Sequence, residues 1–182
     1  MKRIVSHAFF ERPVLDVAPE CIGCTLCVRH SDGSVSRERI TEVEAYDGVQ
    51  DAACHASRGR TPRTEVMYAA GGHIYVYLVY GVHWMFNIVA DTAEYPAAVL
   101  IRATASYGGP GILTRELQID GSYNGRRLGA HCGIWLTADT NTVSPTIETT
   151  QRIGVSYAGA WADKPYRFIE QCSSRDRVSS DL

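Results

Sequence analysis

No stretch of this chain is apolar for long enough to cross a bilayer. The most apolar segment, Ile74 to Ala90, is interrupted by Gly81, His83 and Asn87. It is also shorter than the roughly 20 residues a spanning helix needs, and it alternates in polarity as a strand does. There is no internal repeat and no low-complexity tract, which argues against a repeat architecture. The opening residues, MKRIVSHAFFERP, begin with charge but lack the continuous apolar stretch of a secretory signal. An intracellular protein without membrane association is expected, cytoplasmic if bacterial and nuclear if eukaryotic. Lysine is nearly absent: Lys2 and Lys164 are the whole supply. Neither lies near the candidate site in sequence, which argues against a Schiff-base nucleophile. Nor is there an excess of positive charge, since the formal net charge is −2. That counts against a nucleic-acid partner, because phosphate binding usually leaves a basic footprint.

What is present fits one folded domain. The chain has 182 residues, 45% hydrophobic and 21% charged, which excludes a disordered class and is enough for a real core. A single domain over residues 1–182 is expected, monomeric, with 173–182 as a flexible polar tail. Six cysteines, at 21, 24, 27, 54, 132 and 172, are too sparse for a secreted disulfide scaffold, so free thiols are expected. Cys21, Cys24 and Cys27 have a metal-ligand look. On a strand, however, Cys24 and Cys27 point to opposite faces, and no metal or other cofactor is expected. Arginines are locally clustered, with Arg58, Arg60 and Arg63 within six residues and Arg126 beside Arg127. Solvated surface arginines are the plain explanation, but a local basic patch can bind phosphate where the overall balance does not.

Periodicity predicts a helix within Phe9 to Cys21, ended or kinked by Pro19, then a strand from Cys24 to His30 and a turn at Asp32-Gly33. Ile40 to Tyr46 alternates, with Ile40, Glu42, Glu44 and Tyr46 on one face and Thr41, Val43 and Ala45 on the other. Residues 47–73 read as a long loop or short helices in irregular chain. Ile74–Val79 and Val82–Ala90 flank Tyr80-Gly81 and predict a β-hairpin with a two-residue connection. Ala97 to Thr104 is a further strand, and a helix follows Gly108-Gly109-Pro110-Gly111 with Leu113 and Leu117 on one side. Residues 152–156 and 166–170 read as closing strands. Hairpins with few βαβ units argue for an α+β fold on an antiparallel sheet.

Several residues carry possible chemistry. Glu44, in a Val/Ala/Tyr strand, is ordinarily a solvated outer-face carboxylate; it becomes functional only if that face lines a pocket. Glu42 shares the face, so a two-carboxylate glycosidase is open on spacing alone. Arg102, in an apolar run, needs a partner such as Glu44 or a bound phosphate. Tyr75, Tyr77, Tyr80 and Trp84 concentrate aromatics in the hairpin, usually a sign of core. A tyrosine at the turn is harder to bury and suggests contact with a partner.

The runs Ile40-Thr-Glu-Val-Glu-Ala-Tyr-Asp-Gly48, Ala53-Cys-His55, Arg58-Gly-Arg-Thr-Pro-Arg63, Ile74-Tyr-Val-Tyr-Leu-Val-Tyr-Gly81, Phe86-Asn-Ile88, Val99-Leu-Ile-Arg102, Gly109-Pro-Gly111, Arg152-Ile-Gly154 and Lys164-Pro-Tyr-Arg-Phe168 occur in that order. Together they resemble the alkyladenine (3-methyladenine) DNA glycosylase family, from about Phe9 to the C-terminus. The resemblance implies a single mixed domain on a curved, barrel-like antiparallel sheet with surrounding helices and a protruding hairpin. It implies base-excision repair of double-stranded DNA carrying a damaged purine. Glu44 would be the general base for water, supported by Arg102. Tyr46, His55 and Tyr77 would bound the flipped base, Asn87 would restrict which purines fit, and Tyr80 would fill the gap in the duplex. Arg58, Arg60, Thr61 and Arg63, with Gly109 and Gly111, would meet DNA phosphates. The chain departs from the family at Thr64, where Asn is usual, at Ile112, where Lys is frequent, and at Pro19 and Cys24; none of these is a proposed catalytic position.

The chemistry makes sense on its own terms. A base inside a duplex is out of reach until it is flipped into a pocket. Breaking an N-glycosidic bond builds positive charge on the sugar, which a carboxylate can stabilise while taking a proton from the attacking water. The rivals are a catalytically silent nucleic-acid-binding module on the same scaffold and the glycosidase using Glu42 and Glu44.

Overall fold

The structure is a computed structural model and describes residues 2–139 and 144–171. The expected tail, 173–182, lies outside the described residues. Chain order begins with strand β1 (Lys2–Ile4) and helices α1 (His7–Phe10) and α2 (Val14–Cys21). Strands β2 (Thr25–Arg29) and β3 (Val35–Asp47) follow, then single 3-10 turns at His55–Arg58 and Glu65–Tyr68. Strands β4 (Ile74–Val79), β5 (His83–Ala90) and β6 (Ala97–Thr104) lead to α3 (Pro110–Glu116). Strands β7 (Ile134–Asp139), β8 (Ile147–Thr150) and β9 (Arg167–Glu170) complete the sheet.

All strand pairings are antiparallel, in the order β1-β7-β2-β3-β6-β5-β4, with β9 also paired to β3 and β8 to β9. The α+β expectation therefore holds. Residues 42–44 of β3 have β6 on one side and β9 on the other, so the strand carrying Glu44 is bonded on both edges. Among the described residues, no helix is long and apolar enough to cross a membrane.

The sheet buries both faces. Phe10, Val14 and Val17 from the helices, with Leu113 of α3 and Leu117 at its C-cap, pack on Ile40, Val43, Ile74, Val76, Phe86, Ile88, Val99 and Ile101. The opposite face carries a smaller cluster of Tyr75, Val89 and Ala98 with Cys54, Ala56 and Met67 from the long loop, and Tyr46 and Tyr77 pack against it. The period-two alternation of β4, β5 and β6 thus sorts aliphatic residues to one side and the candidate site to the other.

Four expectations are corrected. One helix was expected within Phe9–Cys21; there are two, broken at Pro13, which has no N–H to continue the first. Pro19 is in the last turn of α2, so it forfeits only one bond before the helix ends. Ile40 does not share a face with Glu42, Glu44 and Tyr46. Register shifts around Glu42 form a bulge, and Ile40 joins Val43 and Ala45 in the core. The hairpin connection has three unpaired residues, since the ladder closes at Val79–His83. Residues 152–156 are irregular chain leading into a 3-10 segment at Ser156–Trp161; the second closing strand is β8. Val155 packs this loop against Ala53, Ala158 and Tyr46, an apolar anchor that periodicity cannot tell from a strand.

Candidate active site

Strands β3 to β6 present Tyr46, Tyr75, Tyr77, Asn87, Ala98, Leu100 and Arg102 toward a cavity of about 550 Å³. The long loop closes it with Ala53, His55, Arg63 and Met67, and the chain after β8 closes it with Ile153, Gly154, Val155 and Tyr157.

Glu44 lies behind this wall, 0% exposed. A carboxylate so placed needs donors, and it has three. The Ile153 N–H donates to Oε1 at 2.8 Å, the Tyr46 hydroxyl donates to Oε2 at 2.8 Å, and Arg102 Nη1 stands 3.3 Å from Oε1. Burial above all, and then the Glu44 charge, push the Tyr46 phenol well above its ordinary range, so it remains a donor. Oε2 keeps one acceptor position for a further partner. Glu42 is differently employed. Its Oε1 receives Arg102 Nε at 2.9 Å and Arg167 Nε at 2.6 Å. Arg102 therefore bridges the two carboxylates, closer to Glu42 than to Glu44, the carboxylate that the sequence offered as one of its possible partners.

The aromatic wall is a connected set. His55 packs edge-on to Tyr77, ring centroids 4.5 Å apart, and its Nδ1 lies 2.9 Å from the Tyr75 hydroxyl. Burial, reinforced by the nearby Arg63 and Arg58, pulls the His55 pKa down to about 4. The imidazole is neutral at physiological pH. Asn87 is buried, and its amide nitrogen donates to the Tyr75 and Met85 carbonyls at 3.1 and 3.2 Å, which fixes the direction of the side chain.

The depressed His55 pKa has a consequence for stability. Between pH 6.5 and about 4 the unfolded chain binds a proton at this residue and the native chain does not. Stability falls as pH drops through that window and levels off below it. In urea unfolding from pH 7 to 4, His55→Gln should lose less stability than wild type. Parallel curves for the two proteins would show that His55 is not buried neutral.

The expected phosphate contacts divide. Arg60 is taken up by Glu65 and Glu94, at 2.7 and 2.6 Å, and lies over the Tyr68 ring. Among the described residues Arg58 and Arg63 are in no ion pair; Arg63 sits over the Tyr77 ring at the cavity wall. The Thr61 N–H donates to Thr64 Oγ1 at 2.8 Å, and Thr64 Oγ1 donates to the Gly59 carbonyl at 3.1 Å. Thr64 is thus a buried brace of the arginine loop. Gly109, at φ 108°, caps α3, and Gly111 lets that helix press on His83, where a Cβ would stand 3.0 Å from the ring. Ile112 is exposed on α3, and Tyr80 projects from the hairpin tip at 94% exposure.

Sequence reasoning missed Tyr75, the 153–157 loop and the buried ion pair of Asp51 with Arg152. Tyr75 was noted only among the hairpin aromatics. Asp51 and Arg152 lie far apart in sequence, and neither shows a local pattern that could pair them.

The chain is similar in sequence to known proteins over most of its length. The sequence profile of the family described as methylpurine-DNA glycosylase matches residues 8–107 and 104–174. A Psychrobacter cryohalolentis protein is 40% identical over 195 residues, covering 91% of each chain. A Myxococcus xanthus protein is 41% identical over 170 residues, covering 88% of this chain and 87% of its own. A Methanocella arvoryzae protein is 36% identical over 190 residues, covering 93% and 94%. All three are described provisionally as 3-methyladenine DNA glycosylases.

Proposed function

The chain belongs to the methylpurine-DNA glycosylase family, and from that premise we propose that it hydrolyses the N-glycosidic bond of alkylated or deaminated purines in double-stranded DNA. The observation that carries the reading is the enclosed Glu44 carboxylate, held by three donors behind an aromatic cavity.

A damaged nucleotide rotates out of the duplex and its base enters the cavity between Tyr46, His55 and Tyr77. Flat rings on both sides suit a purine, and the fixed Asn87 amide sets which edge substituents fit. As the C1′–N bond breaks, positive charge grows on the sugar. Glu44 stabilises it and accepts a proton from water, whose oxygen bonds to C1′ while the bonding pair leaves with the base. Arg102, 3.3 Å from Oε1, keeps Glu44 aimed. Glu42 is not a second acid, because two guanidinium groups already hold its Oε1. That disfavours the two-carboxylate glycosidase. A silent binding module would have no use for a buried carboxylate held by three donors directly behind the base pocket.

Incubation with duplex DNA containing a methylated purine or hypoxanthine should release free base and leave an unbroken strand with an abasic site. No release from any damaged purine, with binding intact, would turn the reading to the silent module.

The DNA contact should rest on few arginines. Each neutralised phosphate adds about 0.9 to the slope of log affinity against log salt. Replacing both Arg58 and Arg63 with Gln should weaken binding and lower that slope by roughly one to two. Arg60→Gln should leave it unchanged, because Glu65 and Glu94 already occupy that charge. An equal loss of slope in Arg60→Gln would refute the division.

A further inference from the structure

Asp51 and Arg152 form an ion pair with both side chains 0% exposed, outside the chemistry just described. Each Asp51 oxygen accepts one backbone N–H and one guanidinium nitrogen. Oδ1 takes Ala53 N–H at 3.0 Å and Arg152 Nη2 at 2.8 Å; Oδ2 takes Asp47 N–H at 3.1 Å and Arg152 Nη1 at 2.5 Å. The same guanidinium donates to the Ala45 carbonyl at 2.9 Å and the Trp161 carbonyl at 3.1 Å. One side chain thus ties β3, the long loop and the 3-10 segment after β8 together.

A buried ion pair is often no more stabilising than apolar residues of similar shape. This one also leaves Arg152 Nε buried with no hydrogen-bond partner among the described residues. Its value lies elsewhere. The residue after Arg152 is Ile153, whose N–H is bonded to Glu44 Oε1 at 2.8 Å. The guanidinium also lies against the Tyr46 ring, 4.8 Å from its centroid, and the Tyr46 hydroxyl is bonded to Glu44 Oε2. Two of the three donors on Glu44 therefore depend on where Arg152 sits, one through the chain and one through ring contact.

We infer that Asp51 and Arg152 are positioning residues that set the Ile153 N–H and the Tyr46 hydroxyl on Glu44, and through them the rate of base release. The inference rests on the reading of Glu44 as the base. Lysine keeps the charge opposite Asp51 but cannot reach Asp51, Ala45 and Trp161 together. Two measurements on the full chain test it. In Arg152→Lys the Ile153 amide should lose protection from hydrogen exchange, while core amides such as Val99 and Ile101 keep theirs. Single-turnover base release should fall about tenfold, with affinity for duplex containing an abasic-site analogue changed less than about threefold. The same substitution placed on Glu44→Gln should lower the residual rate no further, because the group it positions is gone.

An Ile153 amide as protected as in wild type, or the same rate loss in both backgrounds, would overturn the inference. Full activity in Glu44→Gln alone would instead defeat the reading of Glu44, and the Ile153 exchange would still decide whether the pair holds the loop. If Arg152→Lys does not fold, the neutral double variant Asp51→Asn/Arg152→Gln takes its place, with the same two measurements and the same outcomes.

Discussion

Glu44→Gln should bind damaged DNA as wild type does and release base about 10²–10⁴-fold more slowly in single turnover, the range a general base contributes. The substitution keeps the shape and keeps one acceptor oxygen for the Ile153 N–H. The other oxygen becomes an NH₂ donor, which the Tyr46 hydroxyl can meet only by turning from donor to acceptor. The negative charge disappears, and with it both the stabilisation of the sugar cation and the site that takes the proton from water. Because Glu44 is fully buried, it makes no direct contact with the duplex in this conformation, and affinity should be spared. A variant that fails to bind would mean the substitution has disturbed the wall. A variant that binds and releases base near the wild-type rate would remove Glu44 from the chemistry.

The Glu44 site was legible in the sequence only as far as one strand and its alternation carried it. Placing Glu44 and Tyr46 on one face needs nothing but the period of two, because both register shifts lie before Val43; Glu42 sits within the bulge and meets Glu44 through Arg102, which contacts both carboxylates. Ile40 lies before the bulge, and its assignment failed for that reason. Tyr77, Asn87 and Arg102 likewise sit on the site face because β4, β5 and β6 alternate cleanly. The loop residues are another matter. The spacing around Arg60 gives no hint that Glu65 and Glu94 occupy it, since Glu94 comes from a distant turn. Asp51 reads as one polar residue in a polar loop, and Arg152 as one arginine after a threonine-rich stretch. Their pairing is a long-range event with no local signature, and it fixes a segment that apolar pattern alone assigned to a strand.

Tyr80→Asn should melt at or slightly above the wild-type temperature and yet flip damaged bases poorly. The turn puts Tyr80 at φ 52° and Gly81 at φ 71°, with the Val82 N–H donating to the Val79 carbonyl at 3.1 Å. Two successive positive φ values are the pattern of a type I′ turn, which favours Asn-Gly. A tyrosine at the first position costs on the order of 1 kcal/mol of backbone strain. The ring gains nothing locally in return, because 94% of the residue is exposed. Leu78 and Val82 are exposed beside it, so the tip presents an apolar edge to solvent. An exposed aromatic held in a strained conformation on a protruding hairpin fits a wedge that enters the stack from the minor groove as the base leaves it. Stacking of that kind is worth on the order of a few kcal/mol, so its loss should cut the flipped population by roughly 10- to 10³-fold. Asparagine relieves the strain and deletes the ring in one step, which separates folding from function. A fluorescent purine analogue beside the lesion reports flipping, and thermal melting reports stability. A variant several degrees less stable would place the ring in a packing role the exposure does not show. A variant that flips and excises normally would leave the strained tyrosine without a function at the hairpin tip.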